Sequence, residues 1–589
     1  MTDGLHPALF YLVGALLIPL LRGRARQVCQ IVVPLLAIAC VLALDPGSYG
    51  LVTFAGRELV MVQVDRLSLV FGVVFTLMSL IGMVYALHVH RPGEHIAAFL
   101  YVGSALIVVF AGDFFTLFVG WEVMAFASAY LIFAQGGRAA LGAGYRYLLV
   151  HVTGGVCLLA GIVLYTIASG TALFGPLPAD GSLAYYLILC GFLLNAAVPP
   201  LNAWLTDAYP EATVTGAVFL CAFTTKTAVY VLIRAYPAAE ILVVLGVIMA
   251  LYGVVYAVLE NDCRRLLGYH IVSQVGYMVA GVGIGTELAL NGATAHAFAH
   301  ILYKALLFMG AGAVIYMTGR RKLTELGGLY RTMPLTLTLY MIGAFAISAF
   351  PFFSGFVSKS MVIAAAAGDN RALATLLLTM ASSGTFLHTG LKLPYYMFFG
   401  KDCGLRPAEP PRNMLLGMGL AAFFCIAIGV YPDMLYRMLP FPVDFVPYTG
   451  AHVTGSLGIL LFTGLGFFLF LRHLDPKDTV SLDTDWFYRK GARAFLWFAE
   501  RPVARYEGVV SELANTVALR SLRLGARAGL WFDINVVDAV VNGVANMTLR
   551  GGALLRRLQT GVLSHYATAM VAGLFVSLLL YALFTEGGR

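Results

Sequence analysis

The sequence predicts an all-α polytopic membrane protein of about 14–16 transmembrane helices, since each span needs only ~20 apolar residues. Three observations predict it. Of 589 residues, 60% are hydrophobic and only 12% are charged, against about 25% charged in soluble domains. Apolar runs of span length recur along the chain with short basic loops between them. No segment of ~100 residues has soluble composition, which excludes a soluble catalytic domain.

The elements follow in order. The first run, Pro7–Leu21, lacks the basic start and small-residue cleavage site of a removable signal and reads as the first anchor. Then come Val28–Leu44, Leu67–Leu87, Ala97–Ala111, Phe114–Phe133, Tyr147–Ala168, Leu183–Val198, Val214–Ile233, Ile241–Leu259, Leu266–Val282 and Ala293–Met317. Alternation across these spans puts Arg22, Arg24, Arg26, Arg91, Arg138, Arg146, Arg264, Arg265, Arg320, Arg321 and Lys322 on one side. By the positive-inside rule that side is cytoplasmic, in a bacterial inner membrane, with the N-terminus outside. Beyond Arg331 the helices read as broken.

The net charge of +8 is spread over these loops rather than gathered in a basic, aromatic-bearing patch, so nucleic acid is not implied as a partner. The eight cysteines form no CxxC and lie mostly in apolar runs, as buried small hydrophobes do. No P-loop is present, so no ATP-driven pump is indicated. No haem, flavin or nicotinamide fingerprint emerges, and neither a cofactor nor a metal is expected.

An internal echo joins two spans. In Ala197–Asp207 (AVPPLNAWLTD) and Ala349–Lys359 (AFPFFSGFVSK) a proline is followed five residues later by an aromatic residue, and three further on by a charge. Proline inside a span breaks the helix. Paired interrupted helices point to repeat-built transporters with sites near the midplane. After Leu471 the composition changes. Residues 1–474 read as the transmembrane core, 475–566 as a region of amphipathic lateral helices, and 567–589 as a final anchor.

The chemistry lies in ionisable residues at membrane depth, each costing roughly 2.5–3.5 kcal/mol on insertion scales and therefore expected to face a partner or a watered cavity. Glu122 and Lys226 lie in separate apolar spans; if they approach, their separation decides whether the lysine holds or releases a proton. A static buried ion pair is the plainer alternative. His296, His300 and Lys304 follow at intervals of four, on one helical face. Such a stripe suits proton exchange, with a two-histidine zinc site or core hydrogen bonding as rival readings. Lys392, with His388 one turn earlier, could end a relay or snorkel to an interface. His151, His270, Asp207 and Lys359 stand near helix breaks or span ends.

Several stretches together resemble one known family. They are GWEVMAFASAYLI around Glu122, LNAWLTDAYPEATVTG and TTKTAVYVL around Lys226, NDCRRLLGYHIVSQVGYM, HAFAHILYKALLFMGAGAVI and FPFFSGFVSK, in this order over about Asp113–Lys401. The chain resembles the antiporter-like subunits shared by respiratory complex I, Mrp-type sodium/proton antiporters and membrane-bound hydrogenases. The core is most similar to the Mrp D-type branch. The tail, WFDINVVDAVVNGVANMT and RRLQTGVLSHYATAMVAG, is similar to the complex I L-type subunit with its lateral helix and last span.

The resemblance implies two inverted five-helix repeats with broken helices and a polar axis through the membrane centre. It implies that Glu122 and Lys226 form the glutamate–lysine pair of the first half, that His296 and His300 are the central histidines, and that Lys392 is the terminal charge of the second. Two departures stand out. Arg264 takes the place of the central lysine after NDL, and an arginine does not release its proton, so His270 or water would take that step. Trp204-Leu-Thr-Asp-Ala-Tyr209 loses the proline and histidine of the family's WLPDAH.

The implied function is a proton- or cation-translocating subunit of a larger membrane complex, moving H+ and in some relatives Na+. It would use a relay of Glu122, Lys226, Arg264, His270, His296, His300, Lys304 and Lys392, with Asp207, Lys359 and His388 beside it. A redox pump, an antiporter assembly and a bicarbonate or CO2 uptake complex all use such a part. A redox subunit that itself binds quinone is the alternative from another class.

Overall fold

The computed structural model describes residues 5–54, 56–477 and 483–586; the sequence-predicted chain start before Leu5 and residues 478–482 of the predicted lateral region lie outside them. It forms two compact units, Met1–Tyr488 and Arg489–Arg589. Among the described residues, 13 helices are long and apolar enough to cross a membrane, and Ala8–Leu17, Leu183–Asn195 and Pro334–Ile347 are shorter apolar helices.

The first unit opens with α1 (Ala8–Leu17) and α2 (Gly23–Leu42). An antiparallel hairpin follows, β1 (Gly47–Phe54) with β2 (Arg57–Val64), in the register Gly47 opposite Val64 and Phe54 opposite Arg57. The spacing of apolar spans does not announce this hairpin. Its second strand alternates in burial, with Val60, Val62 and Val64 turned inward, as a half-covered strand should. Asp65 then caps α3 (Arg66–Tyr85) in a reciprocal capping box with Ser68.

The central part is a two-fold repeat, each half holding five spans. In the first are α4 (Pro92–Phe110), α5 (Phe114–Phe133), α6 (Gly137–Ser169), the broken pair α7 (Leu183–Asn195) and α8 (Ala203–Ala208), and the broken pair α9 (Val214–Leu220) and α10 (Thr224–Ala235). In the second are α11 (Glu240–Leu259), α12 (Cys263–Ile284), α13 (Glu287–Thr318), the broken pair α14 (Pro334–Ile347) and α15 (Ser354–Gly368), and α16 (Ala372–Thr385). Five is odd, so the halves run in opposite senses across a bilayer.

The repeat holds down to single hydrogen bonds. Asp113 caps α5 by accepting from the amides of Phe115 and Thr116, and Asp262 caps α12 by accepting from those of Arg264 and Arg265. The Phe114 amide donates to Ala172 O at 2.9 Å and Phe174 to Gly112 O at 2.9 Å. At one constant offset in sequence, Cys263 donates to Arg321 O at 3.0 Å and Leu323 to Asn261 O at 2.8 Å. The long helices α6 and α13 end on left-handed Gly170 and Gly319, again at that offset.

The echoed prolines mark the breaks. Ala197 and Ala349 both take positive φ, 57° and 58°. Around them Ala197 N donates to Leu194 O and Val198 N to Leu193 O, just as Ala349 N donates to Ala346 O and Phe350 N to Phe345 O. Each short helix therefore closes with the same double turn at the break. The span expected as continuous over Val214–Ile233 is also interrupted, at Cys221–Phe223, between α9 and α10.

Helices α11 and α12 pack with almost no side chain between them. A Cβ on Gly246, Gly253 or Gly276 would run into backbone of the facing helix, the small-residue contact favoured between membrane helices. Helix α16 continues into widened i→i+5 turns over Phe386–Lys392 and Tyr395–Phe399. After it come α17 (Arg412–Val430), the single turn α18 (Asp433–Tyr436) and α19 (Gly450–Leu469).

The second unit carries a 69-residue helix, Lys490–Leu558, and then Leu563–Glu586. At 1.5 Å per residue the first is about 100 Å long, far beyond a bilayer's hydrocarbon thickness.

Candidate functional site

The site is built where helices α12, α13 and the widened end of α16 meet. His296, His300 and Lys304 lie along α13 at spacings of four, all fully buried. Lys304 Nζ is 3.3 Å from Nδ1 of His270 on α12. The Thr389 hydroxyl is 3.0 Å from the same His270 nitrogen and 2.7 Å from His388 Nδ1. A hydroxyl both donates and accepts, so Thr389 joins the two imidazoles; their rings meet edge to face at 4.8 Å. The widened turns matter here, because they present the consecutive residues His388 and Thr389 to one neighbour. The result is a continuous buried string, Lys304–His270–Thr389–His388.

A second branch leaves α13 at His296. Its Nδ1 is 3.2 Å from Ser358 Oγ on α15, and its Nε2 is 3.4 Å from the Tyr303 hydroxyl. Next to Ser358 is Lys359, which donates from Nζ to Ile347 O at 2.9 Å, the last residue of α14 before the break. Helix termini leave carbonyls without intrahelical partners, so the break supplies the acceptor that a buried ammonium needs. Lys359 also lines a cavity of about 520 Å³ together with Ser348, Thr379, Ser382, Thr449 and His452. Between the branches stands His300, its ring 6.2 Å from that of His296 and 5.2 Å from that of Tyr303. Among the described residues neither of its ring nitrogens has a hydrogen-bond partner.

In the first half Lys226 repeats the Lys359 solution. Its Nζ donates to Cys221 O at 2.7 Å, in the interruption between α9 and α10, and to Thr225 Oγ1 at 3.0 Å. Glu122 does not touch it: among the described residues no ion pair joins the two. The Glu122 carboxylate instead packs over Gly155 of α6, where a Cβ would overlap Oε1, and this oxygen has no hydrogen-bond partner. Polar groups lie around the Lys226 end. Tyr101 and Thr224 hydroxyls are 2.5 Å apart, and the Tyr147 hydroxyl is 2.8 Å from Ser128 Oγ.

The remaining predicted residues have other partners. Arg264 donates from Nη1 to Ala212 O at 2.8 Å and Pro210 O at 3.4 Å, clamping the turn that leads into α9. Asp207 forms a two-pronged ion pair with Arg146, at 2.6 and 3.0 Å. Lys392 donates to Val258 O and Glu260 O at the end of α11, the latter at 3.0 Å, rather than continuing the string from His388.

The sequence reading missed Thr389, the hydroxyl that joins two predicted histidines, and Ser358, which meets His296 and donates to Ser354 O. It also missed Asp483, a buried carboxylate that accepts from Tyr269 at 2.5 Å and from the Tyr252 hydroxyl. Proximity in sequence offers no signal for contacts of this range.

The family described as NADH:quinone oxidoreductase/Mrp antiporter, transmembrane, matches residues 111–386. The D-type component of the Na(+)/H(+) antiporter of Alkalihalophilus pseudofirmus is 31% identical over 52% of this chain and 65% of its own length. Chain 5 of the NADH-ubiquinone oxidoreductase of Cryptococcus neoformans is 29% identical over 80% of this chain and 76% of its own. A chain of the archaeal membrane-bound sulfane sulfur reductase shares the fold, with a TM-score of 0.69 at 21% identity over 98% of this chain and 99% of that one. Residues 111–386 hold α5 to α16 and the Lys304–His270 end of the buried string, and over this stretch the chain is an antiporter-like membrane protein that matches the NADH:quinone oxidoreductase/Mrp antiporter family.

Proposed function

We propose that the chain moves protons, alone or in exchange for another cation, through the membrane as one subunit of a multi-subunit complex. The observation that carries this reading is the hydrogen-bonded string Lys304–His270–Thr389–His388, fully buried and made of groups that exchange protons. Buried ionisable residues are costly and mark ion pathways and proton relays, and this chain keeps Lys226, Lys304, Lys359, His270, His296, His300 and His388 together in its interior.

Protons step from Glu122 toward Lys226, on to the His300–Lys304 face of α13, and along His270, Thr389 and His388. His296, Ser358 and Lys359 form a branch that ends at the cavity beside α19. Lys226 and Lys359 are each held by a carbonyl at a helix break, so each ammonium has a fixed acceptor whose loss can accompany proton release. Arg264, Asp207 and Lys392 hold the frame; Arg264 stays protonated and biases its neighbours by charge alone. Glu122 and Lys226, being apart, communicate through the groups and water between them. An event in a partner subunit, redox or ion-driven, shifts that balance. Residues 1–474 act as the translocating core, and 475–566 engage neighbouring subunits. The distribution of basic loops supports an N-terminus outside, in a bacterial cytoplasmic membrane.

The test is ion flux in vesicles reconstituted with the native complex, beside a complex carrying Lys304→Ala. Loss of proton flux with intact assembly supports the reading, and unchanged flux contradicts it. Replacing sodium by choline in the same vesicles separates sodium exchange from proton transfer alone.

A further inference from the structure

The repeat makes a prediction about α6 that the buried string does not. Helices α6 and α13 end on equivalent glycines, Gly170 and Gly319, and their flanking bridges Asp113–Leu173 and Asp262–Lys322 match at the same offset. Carried back along the two uninterrupted helices, that offset pairs Tyr147 with His296, His151 with His300 and Gly155 with Lys304. The pairing holds in the packing too. Ser128 meets Tyr147, and its repeat mate Tyr277 packs on His296 with ring centres 5.8 Å apart.

His151 is as deeply buried as His300, and it shares the same unmet demand. Among the described residues both ring nitrogens of His151 lack a hydrogen-bond partner, as do both amide atoms of Asn195 on α7 and Oε1 of Glu122 on α5. The three converge. Asn195 stands beside the His151 ring without a direct hydrogen bond. Gly155, against which Glu122 rests, is one turn from His151 on the same face of α6. The ring itself is held between Tyr147 and Trp204, at 4.2 and 4.5 Å between centroids. Buried polar groups nearly always find a partner, often through bridging water. Five unmet polar atoms from three helices therefore describe a site for exchangeable protons.

We propose that His151 is a proton-carrying residue of the first half, the counterpart of His300, receiving from Glu122 through water and passing toward Lys226 along the Tyr147 side of α6. Asn195 orients the ring and the water without itself exchanging a proton. The proposal rests on the translocation function assigned to the chain, and it adds a residue that would connect two groups the structure leaves out of contact.

The experiment compares proton flux in vesicles holding the whole complex with His151→Gln, His151→Gly and Lys304→Ala. The expected result for His151→Gln is a fall of at least about tenfold, a threshold set below the roughly 100-fold or more that a positioned proton-transfer group contributes. A smaller fall overturns the proposal. The His151→Gly complex is then given imidazole, or thiazole, which has a similar shape but no exchangeable N–H. Rescue by imidazole alone is expected; rescue by both, or by neither, reduces His151 to packing and overturns the proposal. Lys304→Ala separates the two readings: if it abolishes flux while His151→Gln does not, the function stands and this inference fails.

Discussion

Glu122 fills, over Gly155 of α6, the place that the Lys304 side chain takes on α13 in the second half of the repeat. A Cβ on Gly155 would overlap the Glu122 carboxylate, and the equivalent position on α13 bears the ammonium that reaches His270 at 3.3 Å. One half thus offers an acid where the other offers a base, on helices that otherwise match at their caps and bridges.

Gly155→Ala should lower flux several-fold with assembly unchanged. The group displaced is the end of a flexible side chain, so the helix adapts, and alanine favours a helix over glycine by about 1 kcal/mol. Proton flux and size-exclusion profile of the purified complex check this. In the double variant with Glu122→Gln, the added alanine should cost nothing further, since both act through the same carboxylate.

Thr389→Val should interrupt the string while keeping its shape. The methyl group cannot link His270 to His388, now bridged at 3.0 and 2.7 Å, and two imidazoles lose one partner each. Flux should fall about tenfold or more, whereas Thr389→Ser, which keeps the hydroxyl, should stay within about threefold.

Arg264→Ala should destabilise rather than block. The guanidinium clamps the Pro210 and Ala212 carbonyls, and hydrogen bonds from charged groups contribute roughly 1.5–3 kcal/mol each. Thermal unfolding of the detergent-solubilised complex should shift down. Arg264→Lys, which can still reach one carbonyl, should keep most of the flux, because the position holds a loop and passes no proton.

Asp483→Ala should loosen the contact of residue 483 with α11 and α12. Two tyrosine hydroxyls, of Tyr252 and Tyr269, lose their shared acceptor, at about 1–3 kcal/mol for buried groups left unpaired. Thermal unfolding of the purified complex should shift down, with flux through the core unchanged.

Much of this architecture is legible in the sequence, because a membrane leaves few ways to satisfy a backbone. Span length, the basic loops and the echoed prolines at Pro199 and Pro351 follow from that constraint, and so does the helical spacing of His296, His300 and Lys304. The break at Cys221–Phe223 is not legible, since it contains no proline or glycine and is held by the lysine it serves. Nor is the contact partner of Glu122. Two isolated charges invite the expectation that it meets Lys226, but tertiary packing sends the carboxylate to a glycine on α6. The hydroxyl links Thr389 and Ser358 look like any small polar residue until three helices are brought together. The hairpin at Gly47–Val64 lies in a stretch too short and too polar for a span, and strand pairing there depends on register rather than hydropathy.

The central claim is that buried lysines held at helix breaks pass protons, and Lys226 tests it most directly. Its Nζ donates to Cys221 O at 2.7 Å and has no carboxylate partner to neutralise it among the described residues. Proton flux should be measured in vesicles containing the native complex and the same complex with Lys226→Ala, matched for assembly. The account predicts that flux falls at least about tenfold in the variant. Flux equal to that of the native complex would contradict it.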